Sequence, residues 1–317
     1  MRKFTLSAII SPILITLSHA AEVWAPGVSW EGGWYDFNKY AKGGVSNGTS
    51  TYLKDDSLMC WAVSAANVIA WWQEQNNIKS EYDYSTSIIP QGKDVHQTFV
   101  AVFNDVGGNP AQAFQWWING TKNGSIDYLP LRTDFPDEDE SSWTSIDGKT
   151  YSPNFFYSGG FLTDTDYTST PFYNIAADPV TIANTKLTPN EGSLTLQNRA
   201  IVEALESGYA LSLEVNTNDG TVGEHAITLW GVEYTEANGE ITLTKAYITD
   251  SDDYYNGIVA AQVNGKGHLY GMQIDNGAYQ ITNANGMRTT VTTPEPATVT
   301  LSLLAFCGLA ARRRRKR

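Results

Sequence analysis

Cys60 stands near the start of the segment LMCWAVSAANVIAWWQEQN, directly after Asp55-Asp56-Ser57. Leu58, Ala62, Ala65, Ile69 and Trp72 recur at three- and four-residue intervals, which predicts an amphipathic helix with that stripe buried. Asp56 or Ser57 is the expected N-cap. Cys60 then falls in the first turn, where unpaired amides and the helix dipole favour thiolate over thiol. Cys60, Ser64, Asn67 and Trp71 share a stripe beside the most apolar one, so the thiol belongs at the edge of the core. Two readings follow: a nucleophile, or a small apolar filler of the kind free cysteines commonly are.

A nucleophilic thiol needs a base, and beyond residue 20 the only histidines are His96, His225 and His268. His225 opens HAITLWGVEY, an apolar-rich strand pattern, and ITLTKAYITD follows after the turn-forming Ala237-Asn238-Gly239-Glu240. A hairpin loop centred between Asn238 and Gly239 sets His225 opposite Asp252. A loop centred one residue earlier sets it opposite Asp250. Both carboxylates point to the same face, so either register brings one beside the imidazole. A carboxylate on one ring nitrogen fixes the tautomer and leaves the other nitrogen to act on a thiol. The competing reading of His225 is a strand-end surface residue.

Other chemistries lack their residues. There is no HExxH motif, and the three histidines lack metal-ligand spacing. Asp250-Ser251-Asp252-Asp253 begins like a calcium loop, but the glycine and terminal glutamate are misplaced. Neither a GxSxG elbow nor a phosphate-cradling loop occurs. The expectation is no metal and no cofactor.

The elements around these residues predict an α+β domain. Helical patterns cover about 94–103, 111–118 and 195–206; strands are expected at 209–215, 225–234 and 241–250, with more to about 291. Residues 21–52 read as irregular and rich in Gly and Trp. Residues 121–192 read as long loops with short strands, and Asp137-Glu138-Asp139-Glu140 as a solvated turn. A helix-rich half followed by a sheet-rich half is the α+β pattern, and no internal repeat interrupts it.

The ends carry addresses. Arg2 and Lys3, an apolar run from Phe4 to Leu17 and small residues before Ala21 have the layout of a signal peptide over 1–20. At the other end Thr293-Pro294-Glu295-Pro296 precedes 15 apolar or small residues and then Arg312 to Arg317, six cations in a row. That order resembles a PEP-CTERM sorting signal over 293–317. It implies a bacterial envelope protein, or one secreted after processing, whose tail is handled by an exosortase and whose membrane contact runs only through that segment.

The 317 residues carry 21 Lys plus Arg against 34 Asp plus Glu, a net charge of −13. Eight of the cations lie in the two end segments, so the domain at 21–292, counted with Glu295, is near −21. Such a balance excludes nucleic acid as a main partner, since phosphate binding needs a basic surface. A hydrophobic content of 42% excludes a disordered chain. With Cys307 inside the apolar tail, Cys60 is the domain's one cysteine and has no disulfide partner.

The chain resembles the IgG-degrading cysteine endopeptidases of the IdeS/Mac type, within the papain-like clan. The resemblance runs through Gly33-Trp34-Tyr35-Asp36, Lys54 to Cys60 with its helix, and then His225 to Gly231, Lys245 to Thr249 and Asp250-Ser251-Asp252. It implies a papain-like fold, with the cysteine helix packed on a mainly antiparallel sheet. It also implies a protein or peptide substrate, IgG being one candidate. Cys60 would be the nucleophile, His225 the base and then acid, and Asp250 the orienting carboxylate with Asp252 in support. The family's oxyanion lysine corresponds to Lys39; the segment between Lys39 and Cys60 is longer than the family pattern, which leaves Lys54 as an alternative. Two other readings stay open: a papain-like acyltransferase, and a non-catalytic adhesin or carbohydrate-binding surface protein motivated by the ten tryptophans.

Overall fold

The computed structural model describes residues 20–39, 56–78, 90–120, 191–217, 225–252, 255–265, 267–271 and 279–289, Gly159, and short paired strands between them. Residues 1–19 of the expected signal peptide, the segment 293–317, Cys307, Lys54 and the acidic run at 137–140 lie outside the described residues. The fold is α+β. In chain order it comprises β1 (Ala20–Trp24), β2 (Ala41–Lys42), β3 (Val45–Ser46), α1 (Cys60–Gln75), α2 (Lys93–Val102), α3 (Pro110–Asn119), β4 (Trp143–Thr144), β5 (Thr150–Tyr151) and β6 (Val180–Ile182). Then come α4 (Glu191–Glu206), β7 (Tyr209–Thr217), β8 (His225–Ala237), β9 (Glu240–Thr249), β10 (Val259–Val263), β11 (His268–Tyr270) and β12 (Tyr279–Arg288). Among the described residues no helix is long and apolar enough to cross a membrane.

Every described strand pairing is antiparallel. The main sheet closes on itself, because β7 pairs with β8, β8 with β9, and the chain of pairings through β10, β11 and β12 returns to β7. Closure gives each of these six strands a partner on both sides. β1 joins beside β7 on the same edge of β8, with Trp24 opposite Gly231. Residues 20–24 are therefore a strand, where the sequence pattern reads as irregular: the segment is too short to show a period, and its pairing partner is more than 200 residues away.

α1 packs against β7, β8 and β12, with α2 and α3 on its other sides. Trp61 to Gln73 are all buried. The expected amphipathic helix is thus a central one, enclosed by helices as well as by the sheet. Leu58, expected in the buried stripe, precedes the helix and is 56% exposed. Neither expected cap acts: the N-cap is Met59, with no side-chain hydrogen bond. The Ser57 hydroxyl is used elsewhere, on Asp105, and Asp56 is buried with an oxygen 3.6 Å from His96 Nε2.

Because α1 is buried, the polar groups on its inner stripe need partners. Ser64 Oγ shares hydrogen bonds with Ser212 Oγ at 2.5 Å and Thr228 Oγ1 at 3.2 Å. Asn67 donates to Thr228 Oγ1 and accepts from the Phe37 amide. The Trp71 indole donates to the Pro26 carbonyl. These bonds pin the helix to β7, β8 and the segment following β1.

The β8–β9 hairpin turns through Asn238 and Gly239, both at positive φ, 54° and 80°. That is the two-residue loop favoured by strand twist. It sets Ala237 opposite Glu240, and after two offsetting bulges the same register returns at Thr228 opposite Thr249. No atom lies within 4 Å of a Cβ built on Gly239, so its substitution tests backbone conformation alone. Gly239→Ala is expected to cost about 1 kcal/mol of unfolding free energy, and Gly239→Asn less. Urea denaturation midpoints check this; an Ala variant as stable as the parent removes the assigned turn constraint.

Candidate active site

Three chain segments meet at one end of the hairpin. Cys60 is the first residue of α1, His225 the first of β8, and Asp250 the first residue past β9. Antiparallel pairing sets the start of β8 beside the end of β9, and the pinned α1 lays its N-terminus over both.

The hairpin register extrapolates to His225 opposite Asp252, yet Asp250 makes the close contact. His225 Nε2 lies 2.8 Å from Asp250 Oδ1, whereas Nδ1 is 3.8 Å from Asp252 Oδ2. The ladder stops at Thr249 and the chain turns at Ser251-Asp252. In that turn the Asp252 amide donates to Asp250 Oδ1 at 3.0 Å, which holds the carboxylate toward the ring. Asp250 is buried and Asp252 partly exposed.

With Nε2 engaged by Asp250, Nδ1 is left for the Cys60 thiol, to which His225 is hydrogen-bonded. Burial raises the thiol pKa, but the bond to His225, the charges of His225 and Lys39, and the Ala226 amide outweigh it, and the net shift is downward. Burial disfavours the His225 cation, but Asp250, by charge and hydrogen bond, and Cys60 together hold its pKa well above the ordinary histidine value. The two groups thus stabilise each other as thiolate and imidazolium.

Lys39 is 5% exposed. Its ammonium donates to the Ser57 carbonyl at 2.5 Å and pairs with Asp252 Oδ1 at 2.5 Å, while its own amide donates to the Ser251 carbonyl. The ammonium is thereby held between a carbonyl and a carboxylate. The segment before it is tied down on both sides: the Phe37 amide to Asn67, the Tyr35 carbonyl to Thr249 Oγ1, and Asp36 to the Gly257 amide. All five residues singled out from the sequence, Cys60, His225, Asp250, Asp252 and Lys39, come together.

The other two histidines stand apart from this pairing. His96, on α2, is buried near Asp56; burial, with Lys39 adding repulsion, pushes its pKa down to about 3, so the ring is neutral. His268 lies on β11. Among the described residues no group of three or more His, Cys, Asp or Glu side chains is gathered to hold a metal.

Sequence reasoning missed Asp105, whose carboxylate receives the Ser57 hydroxyl and the Leu58 amide, each at 2.6 Å. It sits in a Gly- and Asn-containing loop where an aspartate reads as a turn former, and no spacing pattern marks it.

The chemistry open to this arrangement is nucleophilic attack by sulfur, with proton transfer through an oriented imidazole. The electrostatics give a direct test. Alkylation of Cys60 by iodoacetamide should titrate with a midpoint below that of a free thiol, about 8.5, and His225→Ala should move that midpoint upward. A parental midpoint at or above the free-thiol value defeats the ion-pair assignment. No protein-family model matches the chain, nor does any curated protein, and the chemistry of the site follows from its own geometry.

Proposed function

We propose that the protein is a papain-like cysteine endopeptidase, exported and carried to the bacterial envelope or secreted, that hydrolyses peptide bonds through a thioester. The observation that carries this reading is the hydrogen-bonded relay from Cys60, at a helix N-terminus, to His225 and on to Asp250 at 2.8 Å. The central helix on a closed antiparallel sheet is consistent with the papain-like architecture that the sequence resemblance implies. Export and sorting are proposed from the signal-like segment at 1–20 and the PEP-CTERM-like segment at 293–317.

In this mechanism the Cys60 thiolate attacks the scissile carbonyl carbon, forming a C–S bond as the carbonyl π pair moves to oxygen. The Cys60 amide, lacking an intrahelical acceptor, and the Lys39 ammonium stabilise that oxyanion. Collapse breaks the C–N bond, and the His225 imidazolium gives its proton to the departing amine. Water then attacks the thioester with His225 as base, releasing the carboxylic product and restoring the thiolate. Asp250 keeps the ring in the tautomer and orientation that serve both steps. Asp252 balances the Lys39 charge.

The test is to incubate the purified protein with a mixture of protein substrates and with IgG, following new termini by mass spectrometry. Cys60→Ala should lose all cleavage, and Asp250→Ala should lower kcat roughly 10²-fold or more. Cleavage by Cys60→Ala at the parental rate overturns the proposal. An added amine that replaces water in the products turns the assignment to an acyltransferase on the same scaffold. Selective glycan binding without labelling of Cys60 turns it to a binding protein.

A further inference from the structure

The turn that delivers Cys60 is packed at its ends, where Asp56 and Met59 are fully buried, but not in its middle. Leu58 is 56% exposed, Ser57 is only partly buried, and the Met59 cap makes no side-chain hydrogen bond. That middle is held by a carboxylate from elsewhere in the chain. Asp105 Oδ2 accepts from the Ser57 hydroxyl and Oδ1 from the Leu58 amide, both at 2.6 Å. The Ser57 length is in the range of charge-assisted O–H···O bonds, which are about twice as strong as neutral ones.

The loop bearing Asp105 is itself anchored. The Trp61 indole donates to the Val106 carbonyl at 2.9 Å, and the Trp61 ring packs edge-on against Phe99 and Phe103, with centroids 6.0 Å and 5.8 Å away. Rigidity therefore runs from α2, through 104–106, into the turn at 57–59. Two features of the oxyanion site depend on that turn. The Ser57 carbonyl receives Lys39 Nζ, so moving Ser57 moves the ammonium. The Leu58 and Met59 amides are spent on Asp105 and on the Asp56 carbonyl, while the Cys60 amide that follows them is not.

We infer that Asp105 is a positioning residue for peptide-bond hydrolysis, fixing the Ser57–Met59 turn so that the Cys60 amide and the Lys39 ammonium keep their places around the oxyanion. This role rests on the peptidase reading. It predicts a split between two reactions of the same sulfur. Alkylation by iodoacetamide displaces iodide at a saturated carbon and develops no oxyanion; it needs only the Cys60–His225 pair. Amide hydrolysis needs the oxyanion donors as well, and misplacing them costs on the order of 10²-fold.

The experiment compares the parent with Asp105→Ala, Asp105→Asn and Ser57→Ala as full chains, reading steady-state peptide hydrolysis per alkylatable thiol beside the alkylation rate. Asp105→Ala is expected to lose about 10²-fold in kcat, with KM within about twofold and alkylation within about threefold. Asparagine can still accept from Leu58 and donate to the Ser57 oxygen, so Asp105→Asn should recover most of the loss. Parental kcat in Asp105→Ala, or alkylation falling in parallel with hydrolysis, overturns the positioning role. If Asp105→Ala does not fold, Ser57→Ala carries the test: it removes one of the two bonds and should show the same split at roughly 3- to 10-fold, whereas an unchanged kcat overturns the inference. A parent that alkylates readily but cleaves no peptide overturns the peptidase reading, and this role falls with it.

Discussion

A helix enclosed on all sides can keep a polar group only where a partner meets it, and this constraint on α1 organises the domain. Ser64, Asn67 and the Trp71 and Trp72 indoles each have an acceptor or donor on a different element: β7, β8, the segment after β1, and the end of β12. An unmade bond at any of them would cost about 1–3 kcal/mol in the buried state. Rotating α1 about its axis or sliding it by one residue would break several at once. The helix therefore has one seat, and Cys60, at its leading end, inherits that position.

The electrostatics of the site depend on the same rigidity. The Cys60 thiol, the His225 ring, two aspartate side chains and the Lys39 side chain gather here, partly or wholly removed from water. Such a cluster is stable when the charges alternate and each has a fixed neighbour. Here the order is Cys60, His225, Asp250 on one side and Lys39, Asp252 on the other. Asp250 Oδ1 receives both the imidazole and the Asp252 amide, so the turn after β9 is part of the electrostatic arrangement. The neutral, buried His96 behind Lys39 adds no competing charge.

How much of this was legible in the chain depends on the range of the interaction. Cys60 at a helix start was readable, because helical periodicity is local. The strands that carry His225 and lead to Asp250 were readable too, since Asn238-Gly239 fixes the hairpin from within. The sequence left two hairpin registers open, one facing Asp252 and one Asp250; the ladder's end at Thr249 and the following turn bring Asp250 to the ring, and no two-residue period encodes that. Leu58 continued the apolar spacing but lay outside the helix, because Met59 caps it and the preceding residues are claimed by Asp105 and His96. β1 and Asp105 were invisible for a common reason: their roles are set by partners 47 to more than 200 positions away, and nothing in their own neighbourhoods records those partners.

That distance has a consequence for the history of the molecule. The hydrogen bonds that seat α1 on β8 join residues 164 and 161 positions apart, and His225 reaches Cys60 only across the same span. Contacts of this kind form late, after loop closure has been offset by burial. An unfolded or partly made chain carries an ordinary thiol with an ordinary acidity. The lowered pKa of the Cys60 thiol needs His225 and Lys39 beside it, so it is acquired only as the fold closes.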